Sequence, residues 1–173
     1  RFPADETPAE LAARALVAAE VEPEGPFSGI VDRALAHAFR LGAEESRAYE
    51  YLAKAPRVLR TAPSRQRLDT LSGMIAAWCF SHGRRRHADV RVCEEGDAIH
   101  LVVRRSRRAE PRVVLEEDGT VSARVDHPMT TDQLAIPHDG SRLSIWTSAP
   151  RMVRLYCRAV GRALFDDERY FDG

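Results

Sequence analysis

Two groups of arginine are the residues of this chain whose type and spacing best suit chemistry. Arg84, Arg85 and Arg86 precede one alternating apolar segment, and Arg104, Arg105, Arg107 and Arg108 follow the next. Arg151, Arg154, Arg158 and Arg162 recur near the C-terminal end. Lys54 is the only lysine among 26 Lys and Arg residues. A guanidinium is planar, always charged and bidentate, so it suits phosphate and carboxylate better than a mobile ammonium does. A GC-rich coding sequence produces the same bias, together with the abundant Ala, Gly, Pro and Val seen here, so composition alone assigns it no role.

Other chemistry-bearing residues are weaker. Cys79-x-x-His82 has a plausible metal-ligand spacing, with His87 and Cys93 nearby, but no second compact pair follows, and Cys79 lies among the apolar residues of a helical segment. Cys93 and His100 fall on the non-core face of one hairpin, beside Asp89 and Arg91. This thiol–imidazole pair needs a third, orienting group before it can act. Asp126-His127 and His138-Asp139 flank turns, where such residues ordinarily hold backbone. No phosphate loop, dinucleotide fingerprint or Gly-x-Ser-x-Gly elbow accompanies them. The sequence therefore predicts a chain that is not an enzyme and has no cofactor, no metal and no catalytic residue.

The elements that must position these residues follow from periodicity. Thr7-Pro8-Ala9-Glu10 reads as a capping box before a helix over Leu11 to Val21, and Pro23, Gly25 and Pro26 break it. Ser28 opens a second helix through Val31, Leu35 and Phe39 to Gly42, and a short third helix runs from Ala43 to Ala53. After Pro56 and Pro63, Ser64 caps a long helix with Leu68, Leu71, Ile75 and Trp78 inward and Gly83 at its end.

From His87 the period changes to two. A Glu95-Gly96 turn sets Val90 against Leu101 and Val92 against Ile99. A Glu117-Asp118-Gly119 turn sets Val113 against Ala123 and Leu115 against Val121. An Asp139-Gly140 turn sets Leu134 against Ile145 and Ile136 against Leu143. Ser148 before Ala149-Pro150 starts a last helix to Phe165, with Met152, Tyr156, Ala159 and Ala163 buried and an acidic tail behind it.

The expected fold class is α+β: an N-terminal helical half of about four helices, an antiparallel meander of about six strands, and a C-terminal helix packed on the sheet. Residues 1–26 read as a helix and linker. Residues 27–173 read as one domain, made of a helical part 27–83, a sheet 87–147, a helix 148–165 and a tail 166–173.

Because antiparallel strands reverse at each hairpin, the first arginine group gathers at one end of the sheet and Glu94, Glu95 and Asp97 at the other. The second group forms one helical stripe at ~100° per residue, apart from the buried stripe. Acidic and basic residues cancel to a formal net charge of +0, so attraction to a polyanion must be local. The three cysteines are too few for a disulfide framework and point to an intracellular protein. No apolar run suits a membrane span. The chain opens at Arg1 rather than Met, as a fragment or processed product would, so import into an organelle after loss of a targeting segment stays open.

The preferred expectation is a non-catalytic binding protein or accessory subunit of a larger assembly. Its Arg-rich surfaces would contact a polyanion, most concretely RNA in a ribonucleoprotein. The alternative is a protein–protein adaptor or homodimer using Phe27, Phe39, Tyr49 and Tyr51 of the helical half. A third is a small enzyme built on Cys93 and His100.

Overall fold

The structure, a computed structural model, describes residues 47–95, 97–115 and 119–172, with backbone alone for 93–95. The chain divides into units Arg1–Glu44 and Glu45–Gly173, and every described residue belongs to the second. The helices expected over Leu11–Val21 and Val31–Phe39 lie outside the described residues.

The described residues form seven strands and two helices: β1 (Arg47–Leu52), α1 (Arg65–Ser81), β2 (Ala88–Glu95), β3 (Ala98–Ser106), β4 (Glu110–Leu115), β5 (Val121–Asp126), β6 (Met129–Pro137), β7 (Arg142–Thr147) and α2 (Val153–Phe165). A 3-10 turn, Pro150–Met152, leads into α2. Five strands make one antiparallel sheet in the order β1-β7-β6-β3-β2, and β4 and β5 pair apart from it. This corrects the expected fold class: the described part is mostly sheet, and the helical half of about four helices is replaced there by a strand and one long helix.

The clearest correction is β1. Residues 47–52, part of the short helix expected from Ala43 to Ala53, form a strand instead. Tyr49 and Tyr51 are two residues apart and cannot share a helix face, whereas a strand puts them side by side. They pair with Ile145 and Leu143 of β7 and pack on the core.

The meander is corrected too. β3 pairs over its full length with β6, from Ala98↔Pro137 to Ser106↔Met129, so the β4–β5 hairpin is excluded from the sheet. Pro111 of β4 has no N–H to give a central ladder, which confines its strand to an edge. One face of that hairpin leaves Val113, Leu115, Val121 and Val125 exposed.

Turn chemistry sets the hairpins. Gly119 (φ 82°) and Gly140 (φ 66°) adopt the left-handed backbone that their turns require. Val113↔Ala123, Leu115↔Val121 and Leu134↔Ile145 form as expected. The first hairpin closes at Glu95↔Ala98, two residues from the expected register, so Val90 meets Val103 and Val92 meets Leu101. A shift of two keeps every side chain on its face.

Both helices cover one face. Leu68, Leu71, Ile75 and Cys79 of α1 and Tyr156, Ala159, Val160 and Ala163 of α2 meet Ile99, Leu101, Val103, Leu134, Ile136, Leu143 and Ile145 in one core. Cys79, rather than Trp78, is the fully buried residue of its turn. Neither expected serine cap forms through its hydroxyl. The Ser64 carbonyl accepts the Arg67 and Leu68 amides, and Thr147 Oγ1 accepts the Ala149 amide at 3.0 Å.

The acidic tail is not a free tail. Asp166 turns left-handed (φ 57°), and Tyr170 and Phe171 fold back into the core against Phe165. Gly161 makes room: a Cβ there would lie 2.4 Å from the Asp167 carbonyl oxygen.

Candidate anion-binding site

The backbone draws the first arginine group together at one end of the sheet. Arg84 and Arg108 form an isolated antiparallel bridge. The Ser106 amide donates to the His87 carbonyl at 3.3 Å, and Ser106 Oγ donates to the Arg85 carbonyl at 2.6 Å. Residues 84–88 are thereby strapped to residues 105–108. The side chains then divide by strand parity.

Arg105 follows Ile99, Leu101 and Val103 onto the core face and is 1% exposed. Its Nε donates to Asp132 Oδ2 at 2.6 Å and lies 3.2 Å from the Tyr156 hydroxyl. That hydroxyl in turn donates to Asp132 Oδ2. Asp132 comes from β6, again on the core face, and Tyr156 from α2. Burial opposes a charged Arg105, but Tyr156 and Asp132 outweigh it and its pKa is raised. Nη2 of Arg105 and Oδ1 of Asp132 are buried without a partner.

Arg84 is 7% exposed, lies 5.3 Å over the Trp78 ring, and reaches the Ser106 carbonyl at 3.5 Å through Nη1. Its Nε has no partner. Burial, then Arg105, then Arg151 lower its pKa, as expected where cations crowd without enough countercharge.

Arg104 points to the opposite face and pairs with Asp89, which also holds Arg91. Arg107 pairs with Glu110 at 3.4 Å. Arg85, Arg86 and Arg108 are exposed.

The second arginine group joins the first. The 3-10 turn after β7 sets Arg151 on the rim of a cleft of about 470 Å³ that it shares with Arg84, Arg105, Arg107, Arg108 and Glu110. Five guanidinium groups line the cleft with the carboxylate of Glu110, and the buried Asp132 pairs with Arg105, which leaves an excess of three positive charges. From Arg151 the row continues along α2 through Arg154, Arg158 and Arg162, all exposed. None of these four forms an ion pair with a described residue. Arg154 and Arg158 line a second cleft with Tyr51, Cys157, Phe171 and Asp172.

The remaining candidates are placed as follows. Cys79 is in the core, while His82 is exposed and stacked on Trp78 at 3.8 Å. Among the described residues, no three His, Cys, Asp or Glu side chains converge on a metal-sized site. Cys93 is the register partner of His100, and His100 Nδ1 lies 3.1 Å from Gln133 Nε2. The Cys93 side chain lies outside the described residues. His138 Nδ1 bonds the Leu59 carbonyl, and Asp139 accepts the Ser141 amide, a bond that lowers the Asp139 pKa. Both hold backbone. Among the described residues, no helix is long and apolar enough to cross a membrane.

Asp132 is the functional neighbour that sequence reasoning missed. Strand parity could have found it, because Asp132 shares its face with Leu134 and Ile136, and an acid among core residues demands a cationic partner. With this geometry in hand, comparison with known proteins adds no relative: no family model matches the chain, and no curated protein matches it.

Burial pushes the Cys157 thiol up to about 12, with Asp172 adding to it, and burial then Asp132 push the Tyr156 phenol well above its ordinary value. Unfolded, these groups ionise near pH ~8.5 and ~10. The folded chain therefore holds protons that the unfolded chain releases, and their stabilising contribution is complete below pH ~8.5 and falls as pH rises toward the folded values. Urea midpoints measured between about pH 7 and about pH 11 should decline steadily above pH ~8.5. A flat alkaline profile would show that water reaches both groups.

Proposed function

We propose that the protein is a non-catalytic binding protein, an accessory subunit of a larger assembly, that holds a polyanion along its arginine row, with RNA in a ribonucleoprotein as the concrete case. The observation that supports this reading is convergence. Two arginine groups far apart in sequence meet at Arg84, Arg105 and Arg151, and Arg151, Arg154, Arg158 and Arg162 form no ion pair with a described residue. Adjacent members of the α2 row lie ~5–6 Å apart, and the row rises ~16 Å along the helix. That geometry follows a flexible, single-stranded phosphate backbone. Phe171 beside Arg154 and Arg158 is 1% exposed, which leaves the half-buried Tyr51 as the one aromatic of that cleft open to base stacking. Affinity would come from phosphates and be largely blind to sequence.

The test is binding of single-stranded RNA across a salt series. The logarithm of affinity should fall linearly with the logarithm of salt, and Arg154→Ala with Arg158→Ala should flatten the slope by about 1.4, at about 0.7 per lost contact. An unchanged slope in that variant, together with unchanged retention on heparin, would remove the row from the binding surface.

A further inference from the structure

We infer that the cleft shared by Arg84, Arg105 and Arg151 receives a terminal phosphate monoester, the phosphorylated end of a nucleic-acid strand, in preference to an internal diester. This rests on the polyanion reading of the row and goes further by giving one end of it a distinct ligand.

Three features set the cleft apart from the exposed row. Arg84 and Arg105 are 7% and 1% exposed, yet each keeps a buried N–H without an acceptor, Nε in one and Nη2 in the other. Charged donors in that state need an acceptor oxygen more than donors open to water do. Both are also held in place beforehand. Asp132 and Tyr156 fix Arg105, while the Trp78 ring and the Ser106 carbonyl fix Arg84.

Charge is the second feature. Five guanidinium groups against Glu110 and Asp132 leave an excess of three positive charges. A diester brings one negative charge, whereas a monoester brings about −1.5 to −2 and three acceptor oxygens. Bidentate guanidinium recognition suits the monoester's cluster of free oxygens.

The third feature is access. A diester carries a sugar on both sides and must lie across the mouth of the cleft, whereas a monoester is free on one side and enters end-on, toward the sheltered arginines. Arg151 sits on the rim, and Arg154, Arg158 and Arg162 lead away from it along α2. A strand seated by its end can lay its following phosphates along that row, so the site imposes a direction on the bound chain.

The experiment compares uridine oligonucleotides of about ten residues carrying a 5′-phosphate, a 3′-phosphate or hydroxyls at both ends, read by anisotropy with the full chain at about 0.1 M salt. One phosphorylated end should bind about 10-fold more tightly than the hydroxyl form, and which of the two does so identifies the end that is seated. Arg108→Ala with Arg151→Ala, both exposed in the folded chain, should reduce that preference to less than about 2-fold. Arg154→Ala with Arg158→Ala should weaken all three oligonucleotides alike and keep the ratio. Equal affinity for all three would overturn the end-site and leave the polyanion reading standing. Binding of none would overturn both. A preference that survives loss of Arg108 and Arg151 would place the end elsewhere and overturn the assignment to this cleft.

Discussion

Asp132→Ala is expected to lower the unfolding free energy by about 3–5 kcal/mol, read by urea denaturation at neutral pH. The loss comes less from the missing bond than from what remains. Arg105 stays 1% exposed with its charge and no counterion, and a guanidinium cannot neutralise itself by losing a proton. Tyr156→Phe removes one donor to the same carboxylate and should cost less, about 1–3 kcal/mol. Replacing the whole set, Arg105→Met with Asp132→Leu and Tyr156→Phe, should come back to within about 1–2 kcal/mol of the parent, because apolar groups of similar volume need no countercharge. That variant would lose the sheltered guanidinium and with it the proposed hold of the cleft on a phosphate. Stability and binding would then separate cleanly. An Asp132→Ala loss below about 1 kcal/mol would mean that the cluster is wet.

Tyr170→Ala should cost a comparable amount, about 3–5 kcal/mol by the same measurement. The ring stacks on Phe165 with centroids 3.8 Å apart, and the Arg57 guanidinium lies 5.0 Å from it. The hydroxyl accepts the Arg57 amide at 2.6 Å and donates to the Gly140 carbonyl at 3.0 Å. One residue thus ties the C-terminal segment to the β6–β7 turn and to the stretch after β1. Tyr170→Phe keeps the ring and removes both bonds, so it should lose about 1–3 kcal/mol. Equal losses in the two variants would show that the hydroxyl, not the ring, carries the contact.

Local structure in this chain is readable because it depends on a few residues. Gly119 and Gly140 specify their turns, and the turns specify register. The Leu68, Leu71 and Ile75 spacing specifies α1, and the stripe of Met152, Tyr156, Ala159 and Ala163 specifies the inward side of the last helix. Pairing between distant strands is less readable. That β3 takes β6 as its neighbour depends on a nine-residue match across the intervening hairpin, and that β1 takes β7 depends on tyrosines read as helical. The alternation of Tyr49 and Tyr51 marks a strand, but nothing near Arg47 in sequence names a partner about a hundred residues away.

The site divides in the same way. Gathering of Arg84 to Arg86 with Arg104 to Arg108 follows from hairpin reversal alone and was visible in the sequence. The inward turn of Arg105 was also visible in principle, since it continues the parity of Ile99, Leu101 and Val103, but its charge argued for the surface until Asp132 supplied a partner. The arrival of Arg151 at the same cleft was not visible. It depends on how α2 packs across the sheet, a tertiary fact with no local signature.

The pairing of β1 with β7 and the seat of Tyr170 beside Lys54 and Arg57 bear on how the chain is made. A nascent polypeptide emerges from the ribosome in order, so Tyr49 and Tyr51 are out long before Leu143 and Ile145 exist to cover them, and the last aromatic anchor arrives later still. Such long-range closure is slow and leaves apolar surface open while translation continues. Any interruption of synthesis before Arg142 would release a polypeptide with two uncovered tyrosines and an unfinished sheet edge, a natural substrate for chaperones or proteolysis.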